Sequence, residues 1–540
     1  MRPHPMTSSR ITRRQLLAAA TVTAAAAARP AWPTAAQTPP TPVATPAATP
    51  AATPVAIAAP LAPMPSTLAA DASPQMQAVA DALVAGMQQV HVPGAAVGVL
   101  WGDREEHATF GVESLSSLRP VTEQTLFQIG SVTKTYTSTA IWHLIDRGAL
   151  NLDDPVRTWL PELTLADEEV AAAITIGNLL DHSGGFFGDD TWDSGFNDDM
   201  LARYVTERLP ALPQEFPLGA FFSYNNVGFT ILGRLIEVVT GTAYSAAMGN
   251  LLFGPLGLGD TLLEREAVLR RLYADGHITM PINGEVVTTV QLPLWVVGSA
   301  VPAGAIWATT RDVIRYARFH MAHGDVSTPA SVVSPASLRA MQEPALPISG
   351  TDMWIGRDWF VQDIEGIRVI SHSGDTLGQH TDLFIVPDHD FAIVVTTNGQ
   401  PGSHASFAAV EAAVGQVPAL APLVGKLGLV PQLSIPPDAA PITLTAEELD
   451  AYTGRYESPS TRLTITRQDD QLAFTAVAIT QPDVWHPAIP FPASPPGDLA
   501  FIAPDIASVG PGKIPFMRNA DGDIGWVSLG LRLIPRVGEA

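Results

Sequence analysis

Ser131 and Lys134 stand three residues apart in Gly130-Ser131-Val132-Thr133-Lys134, where an apolar-periodic run from Val132 to Leu144 begins. That run stops at Asp146-Arg147-Gly148, so the pattern predicts a helix with a glycine stop. Serine and lysine then share one helix face, a turn apart, with the amine in reach of the hydroxyl. A serine hydroxyl is a weak nucleophile until a neighbour takes its proton. A desolvated lysine can do so, whereas arginine cannot give up its charge. Of the 30 basic residues only Lys134, Lys426 and Lys513 are lysine. The ordinary alternative is an N-cap serine followed by a solvated lysine, and this scarcity weighs against it.

Two further features follow in order. Of the eight tyrosines only Tyr224 has asparagine two residues on, at Asn226. His372-Ser373-Gly374 is the last feature, but His182-Ser183-Gly184 repeats the tripeptide, which alone decides nothing. Either Lys134 or Tyr224 is placed to take the Ser131 proton, and Tyr224 could instead protonate a leaving group. Asn226 suits a substrate amide or carbonyl. The backbone N–H of Ser131, at a helix start, is a natural oxyanion donor.

Ser-x-x-Lys, then Tyr-x-Asn, then His-x-Gly on a late strand resembles the serine β-lactamase and penicillin-binding protein superfamily. The likeness is to its class C β-lactamase-like branch, which includes esterases, D-aminopeptidases and carboxypeptidases. Phe127-Gln128-Ile129-Gly130, Leu179-Leu180-Asp181-His182-Ser183-Gly184-Gly185 and the segment Gly304 to Val313 extend the likeness over Pro74 to Gly415. It implies an α+β fold, an antiparallel sheet flanked by helices with a helical subdomain. It also implies an acyl-enzyme at Ser131, proton handling by Lys134 and Tyr224, and substrate contacts from Asn226, His372 and Gly374. The second oxyanion donor would be the backbone N–H of Asp375, and no cofactor is implied. His372 stands where β-lactamases of this branch usually carry lysine. A conditional cation there favours an esterase or peptidase over a β-lactamase. His182 matches the Leu-Leu-x-His loop and is expected to be structural. The rival reading is a non-catalytic or slowly deacylating penicillin- or peptidoglycan-binding module.

Positioning these residues requires more than one domain in 540 residues. Residues 1–37 read as a twin-arginine-type signal peptide, with Arg13-Arg14 before Leu16-Leu17 and an alanine-rich run. Residues 38–69 read as a Pro/Ala/Thr-rich linker. Residues 70–417 form the expected hydrolase domain. Its elements are a helix at Pro74 to Gln89, a hairpin of Ala95 to Trp101 and His107 to Val112 around Gly102 to Glu106, and a helix at Phe229 to Val239. Strands follow at Gly366 to His372, Thr381 to Val386 and Phe391 to Thr397, then a helix at Ser403 to Val414. Strands at both ends with helices between predict a sheet built from both ends of the segment. Residues 418–442 read as a linker, and 443–540 as a small all-β, barrel-like domain. Tyr452-Thr453-Gly454-Arg455-Tyr456 resembles the lipocalin-like domain that follows such hydrolases.

Formal charge is −23, which disfavours nucleic acid and anionic membranes as partners. No apolar stretch of the mature chain is long enough to span a bilayer. Cysteine is absent, excluding disulfides and thiolate metal sites. The expected location is extracytoplasmic, with a small-molecule or peptidoglycan-like substrate; oligomeric state is left open. His380, Asp382, Asp388, His389 and Asp390 are metal-ligand types, but they fall on a strand start and a turn where such residues are ordinary. Neither His-Glu-x-x-His nor Gly-x-Ser-x-Gly occurs. Loop Asp181 to Asp199 and segment Gly284 to Val301 are expected to wall the cleft.

Overall fold

A computed structural model of the chain describes residues 66–282, 285–291, 296, 298–321, 332–428, 441–479, 497–509 and 512–540. The expected signal peptide and residues 38–65 of the expected linker lie outside these.

Helix α1 (Pro74–Val90) is capped by the Ser73 hydroxyl, which accepts from the Met76 N–H, and closes on His91 in the left-handed region. Strands β1 (Gly94–Trp101) and β2 (Arg104–Gly111) pair from Trp101↔Arg104 onward. The turn is therefore only Gly102-Asp103, tighter than the five-residue turn expected. Arg104, Glu105 and Glu106 belong to the strand, their charges masking its start in the sequence.

Strands β3 (Phe360–Ile364), β4 (Ile367–Thr376), β5 (Gln379–Val386) and β6 (Phe391–Thr397) complete an antiparallel sheet with two short strands at its far edge, Trp354–Ile355 and Leu346–Pro347. Spatial order is β2-β1-β6-β5-β4-β3. Early β1 thus pairs with late β6, and the sheet is built from both ends of the segment, as its pattern predicts.

Alternation along the strands sets two buried layers. Ile393 and Val395 of β6 join Val97 and Val99 of β1 in packing against α1 and the late helix Gly402–Gly415. Ala392 and Val394 face the other way, into the larger core with the helical segment. Helix α2 (Thr133–Asp146) runs through that core and is buried along nearly its whole circumference. Such a helix must satisfy its polar side chains internally. Thr137 Oγ1 donates to the Pro302 carbonyl at 2.7 Å, and Thr139 Oγ1 lies 2.9 Å from the Tyr316 hydroxyl. Helix α3 (Asn226–Thr240) is capped by Asn225 and ends at Gly241, φ +68°.

The start of the expected 418–442 connection is packed. Leu420, Leu423 and Leu427 are buried beside α1 and the late helix, and 429–440 lie outside the described residues. Beyond a short helix, Ala446–Asp450, eight antiparallel strands close a barrel. Its last two strands, Ile524–Leu529 and Arg532–Gly538, are joined by Gly530 and Leu531, both at positive φ. Among the described residues no helix is long and apolar enough to cross a membrane.

Candidate active site

Ser131 sits in a single 3-10 turn, Gly130–Val132, immediately before α2. The helix expected from Val132 thus starts as this turn and becomes α-helical at Thr133. Lys134, one turn on, has no exposed surface. Its Nζ lies 3.0 Å from Ser131 Oγ and donates to the Ala303 carbonyl at 2.7 Å. Burial drives the Lys134 amine down to about 7; Asp358 and Asp189 pull it back up, while Arg532 pushes it further down. The free amine is then well populated at neutral pH, which a general base requires.

Tyr224 lies across from the lysine, its ring centroid 4.9 Å from Nζ. Its hydroxyl is buried. Burial, reinforced by the Asp358 charge, raises Tyr224 above the ordinary tyrosine value, while Ser131 acts in the opposite sense. Tyr224 therefore keeps its proton at neutral pH and is suited to donate it.

Glycine brings the Ser131 and Asp375 backbones together. A Cβ on Gly374 would lie 2.7 Å from the Ser131 nitrogen and overlap the Ile129 carbonyl, and one on Gly130 would lie 2.7 Å from the Asp375 nitrogen. Without side chains at these two positions, β4 presses onto the Gly130–Val132 turn, gathering the Ser131 and Asp375 amides. Asp375 is braced from the side: its Oδ1 accepts from His380 Nδ1 at 2.8 Å, and His380 Nε2 donates to Asp382 Oδ2 at 2.7 Å. Ser406 donates in turn to Asp382. With both ring nitrogens facing carboxylates, His380 is an imidazolium. Burial works against that charge, but Asp382 and Asp375 outweigh it and lift His380 well above the ordinary histidine value.

His372 is buried at the far side, with Nδ1 donating to the Ser373 carbonyl at 2.6 Å and Nε2 3.7 Å from Asp358 Oδ1. Asn226 opens α3, and its Nδ2 donates to Asp189 Oδ1 at 2.8 Å. His182, expected to be only structural, lies flat against Tyr224 with ring centroids 4.6 Å apart. Its Nδ1 accepts the Asn225 N–H at 2.9 Å, so Nε2 carries the proton towards Asp358 Oδ1 at 3.2 Å.

The beta-lactamase family matches residues 79–416. The chain belongs to that family. It is 37% identical over 317 residues to penicillin-binding protein 4 of Amycolatopsis lactamdurans, covering 57% of this chain and 81% of that one. Penicillin-binding protein 4* of Bacillus subtilis is 25% identical over 342 residues, covering 59% and 71% respectively. Among solved structures, SurE, also solved with D-Leu, superposes with a TM-score of 0.65 at 24% identity, over 86% of this chain and 99% of that one. As a member of this family the chain is a serine hydrolase, and its fold is the family's mixed helix–sheet architecture with a C-terminal barrel.

Three residues at this family site carry no local sequence signal. Asp358 and Asp189, the latter beside Asp190, are two acids among 53, and Arg532 comes from the last barrel strand. The Arg532 guanidinium stands 4.8 Å from the Tyr224 ring centroid and pairs with Asp189 through contacts of 2.8 and 2.9 Å. Segment 284–301, expected to line the cleft, falls partly outside the described residues. Within loop Asp181 to Asp199, Asp189 does reach the site.

Proposed function

We propose that this protein is an exported serine hydrolase that forms an acyl-enzyme at Ser131 on an ester or amide. The observation carrying this reading is the buried Lys134 amine 3.0 Å from Ser131 Oγ, held near neutrality by burial. Neutral Lys134 takes the Ser131 proton as Oγ adds to the substrate carbonyl. The amides of Ser131 and Asp375 hold the oxyanion, and Tyr224 protonates the departing group. Water then releases the acyl group by the same route in reverse. Asn226, His372 and Gly374 line the substrate side. The paired state of His372 beside Asp358 argues against a free cation for a β-lactam carboxylate and supports an esterase or peptidase. The basic, alanine-rich N-terminus supports export, as do relatives named as penicillin-binding proteins.

A substrate panel tests the reading: a nitrophenyl ester, a penicillin, a cephalosporin, a D-alanyl dipeptide and a D-amino-acid amide. The last two are prompted by the D-Leu bound to SurE. The wild-type chain is expected to turn over at least one, and Ser131→Ala none, with its fold unchanged. Turnover retained in Ser131→Ala would reject the mechanism. Covalent labelling by penicillin without turnover of any substrate would favour the binding module.

A further inference from the structure

Asp358 occupies a position where glycine would be the cheaper residue. It lies just before β3 with φ +77°, a backbone conformation that non-glycine residues hold only where their surroundings impose it. Its side chain is wholly buried, and Oδ2 has no hydrogen-bond partner. A buried carboxylate in a strained backbone carries two costs that glycine would remove. What the carboxylate contacts gives the reason for its presence. Oδ1 accepts from His182 Nε2 and faces His372 Nε2, and these two rings flank Tyr224 at centroid distances of 4.6 and 6.2 Å.

We propose that Asp358 is a positioning residue of this site, a buried carboxylate that fixes His182 and His372 behind Tyr224 and supplies the negative charge opposite Lys134. The proposal rests on the reading of Ser131 as nucleophile and Lys134 as base. Charged and titratable groups around the lysine come from five separate regions: Asp358 before β3, Asp189 and His182 in one loop, Tyr224 before α3, His372 on β4 and Arg532 from the barrel. Burial opposes ionisation of Asp358, but His372 and His182 hold its carboxyl below the usual carboxylate range, so its charge persists. Without it, burial and Arg532 would take Lys134 below the pH at which an amine is a strong base. Asp358 thus keeps the base near 7, where proton affinity and availability are balanced.

Three lysines in the whole chain make a direct measurement practical. Lysine labelled with ¹³C at Cε gives three signals by NMR, and Lys134→Arg identifies the one that matters. Asp358→Asn removes the charge while keeping an acceptor for His182. Asp358→Gly suits the left-handed backbone and guards against a misfolded variant. In the wild type the Lys134 signal is expected to titrate at about pH 7, and in both variants about one unit lower. Turnover of p-nitrophenyl acetate is expected to fall about tenfold in Asp358→Asn, its rising pH limb moving with the lysine signal. An unmoved Lys134 midpoint in both variants would overturn the proposal even if activity fell, since Asp358 would then be only structural. If the wild type turned over no member of the substrate panel and gave no Ser131 adduct with fluorescent penicillin V, the proposed function would fail while the lysine signal still decided the role of Asp358.

Discussion

The carbonyl of Leu531, at the tip of the last barrel hairpin, accepts the backbone N–H of Tyr224 at 2.9 Å. Next to it the Leu533 N–H donates to Ser223 Oγ at 3.1 Å, so the Tyr224 loop is held as if it were an extra strand on the barrel. Leu531 is buried with Phe222, Tyr224, Ile348, Met353, Ile355 and Phe360, and Trp526 Nε1 donates to the Glu215 carbonyl at 2.7 Å. The barrel is a wall of the site.

Removing the residues after Pro441 is therefore expected to abolish activity and leave that apolar cluster exposed. A milder change, Arg532→Ala, removes the cation paired with Asp189, leaving it Asn226 and the Lys134 charge, and shifts the Tyr224 environment. Steady-state kinetics should show kcat/KM lower by about tenfold, in line with the loss of a charge-assisted pair. Full activity in the shortened chain would detach the barrel from the chemistry.

Lys134→Arg keeps a positive charge but cannot supply a base. Ester hydrolysis is expected to drop by roughly 10² to 10⁴, the usual worth of a positioned acid–base group. In the wild type kcat/KM should rise through about pH 7 as the Lys134 amine loses its proton, and Lys134→Arg should lack that limb. A rising limb that survives in Lys134→Arg would assign it to another group.

The same burial makes Lys134 a liability to folding. Its folded value, about 7, lies below the ordinary 10.5, so between these pH values the folded chain binds fewer protons than the unfolded one. Stability from this group therefore rises as pH goes from about 7 to about 10.5. Lys134→Met should melt at a higher temperature than the wild type at pH 6, with the gain shrinking towards pH 10. A constant difference across that window would show that the lysine is not buried as a titrating group.

His380 runs in the opposite sense. Its folded value is raised, so the stability it contributes is fully present below the ordinary histidine value of 6.5 and is lost only as pH rises through the higher folded value. His380→Gln leaves Asp382 and Asp375 without their shared cation and should cost about 3 to 5 kcal/mol in denaturant unfolding at pH 7. If the Asp375 amide holds the oxyanion as proposed, kcat should fall more than KM changes. Equal stability of the two proteins at pH 6 would remove the charged chain from the account.

Much of this was legible before any coordinates. Serine and lysine one turn apart, the glycine stop at Gly148, the strand at Phe391 to Thr397 and the helical spacing of Phe229 to Val239 are local relations, and backbone periodicity translates them into geometry. The length of the first hairpin turn was not, because the charged Arg104, Glu105 and Glu106 occupy strand positions but look like a loop. The neighbours of His182 were not legible either: its sequence suits a structural histidine, which its buried contacts with Asn225 and Asp358 allow, but nothing local says that it stacks on Tyr224.

Ser131 and Lys134 began as a spacing that allowed contact, and for this pair that is what the sequence by itself determined: a hydroxyl, an amine one turn on and a resemblance to a family. Tertiary structure decided whether the amine can be a base, since proton affinity depends on burial and on charges from Asp358, Asp189 and Arg532, which are distant in sequence from Lys134 and from one another. It also decided that the final hairpin of the chain closes the site against Tyr224. Desolvation and long-range contact are properties of packing, and neither has a signature in the order of residues around Ser131.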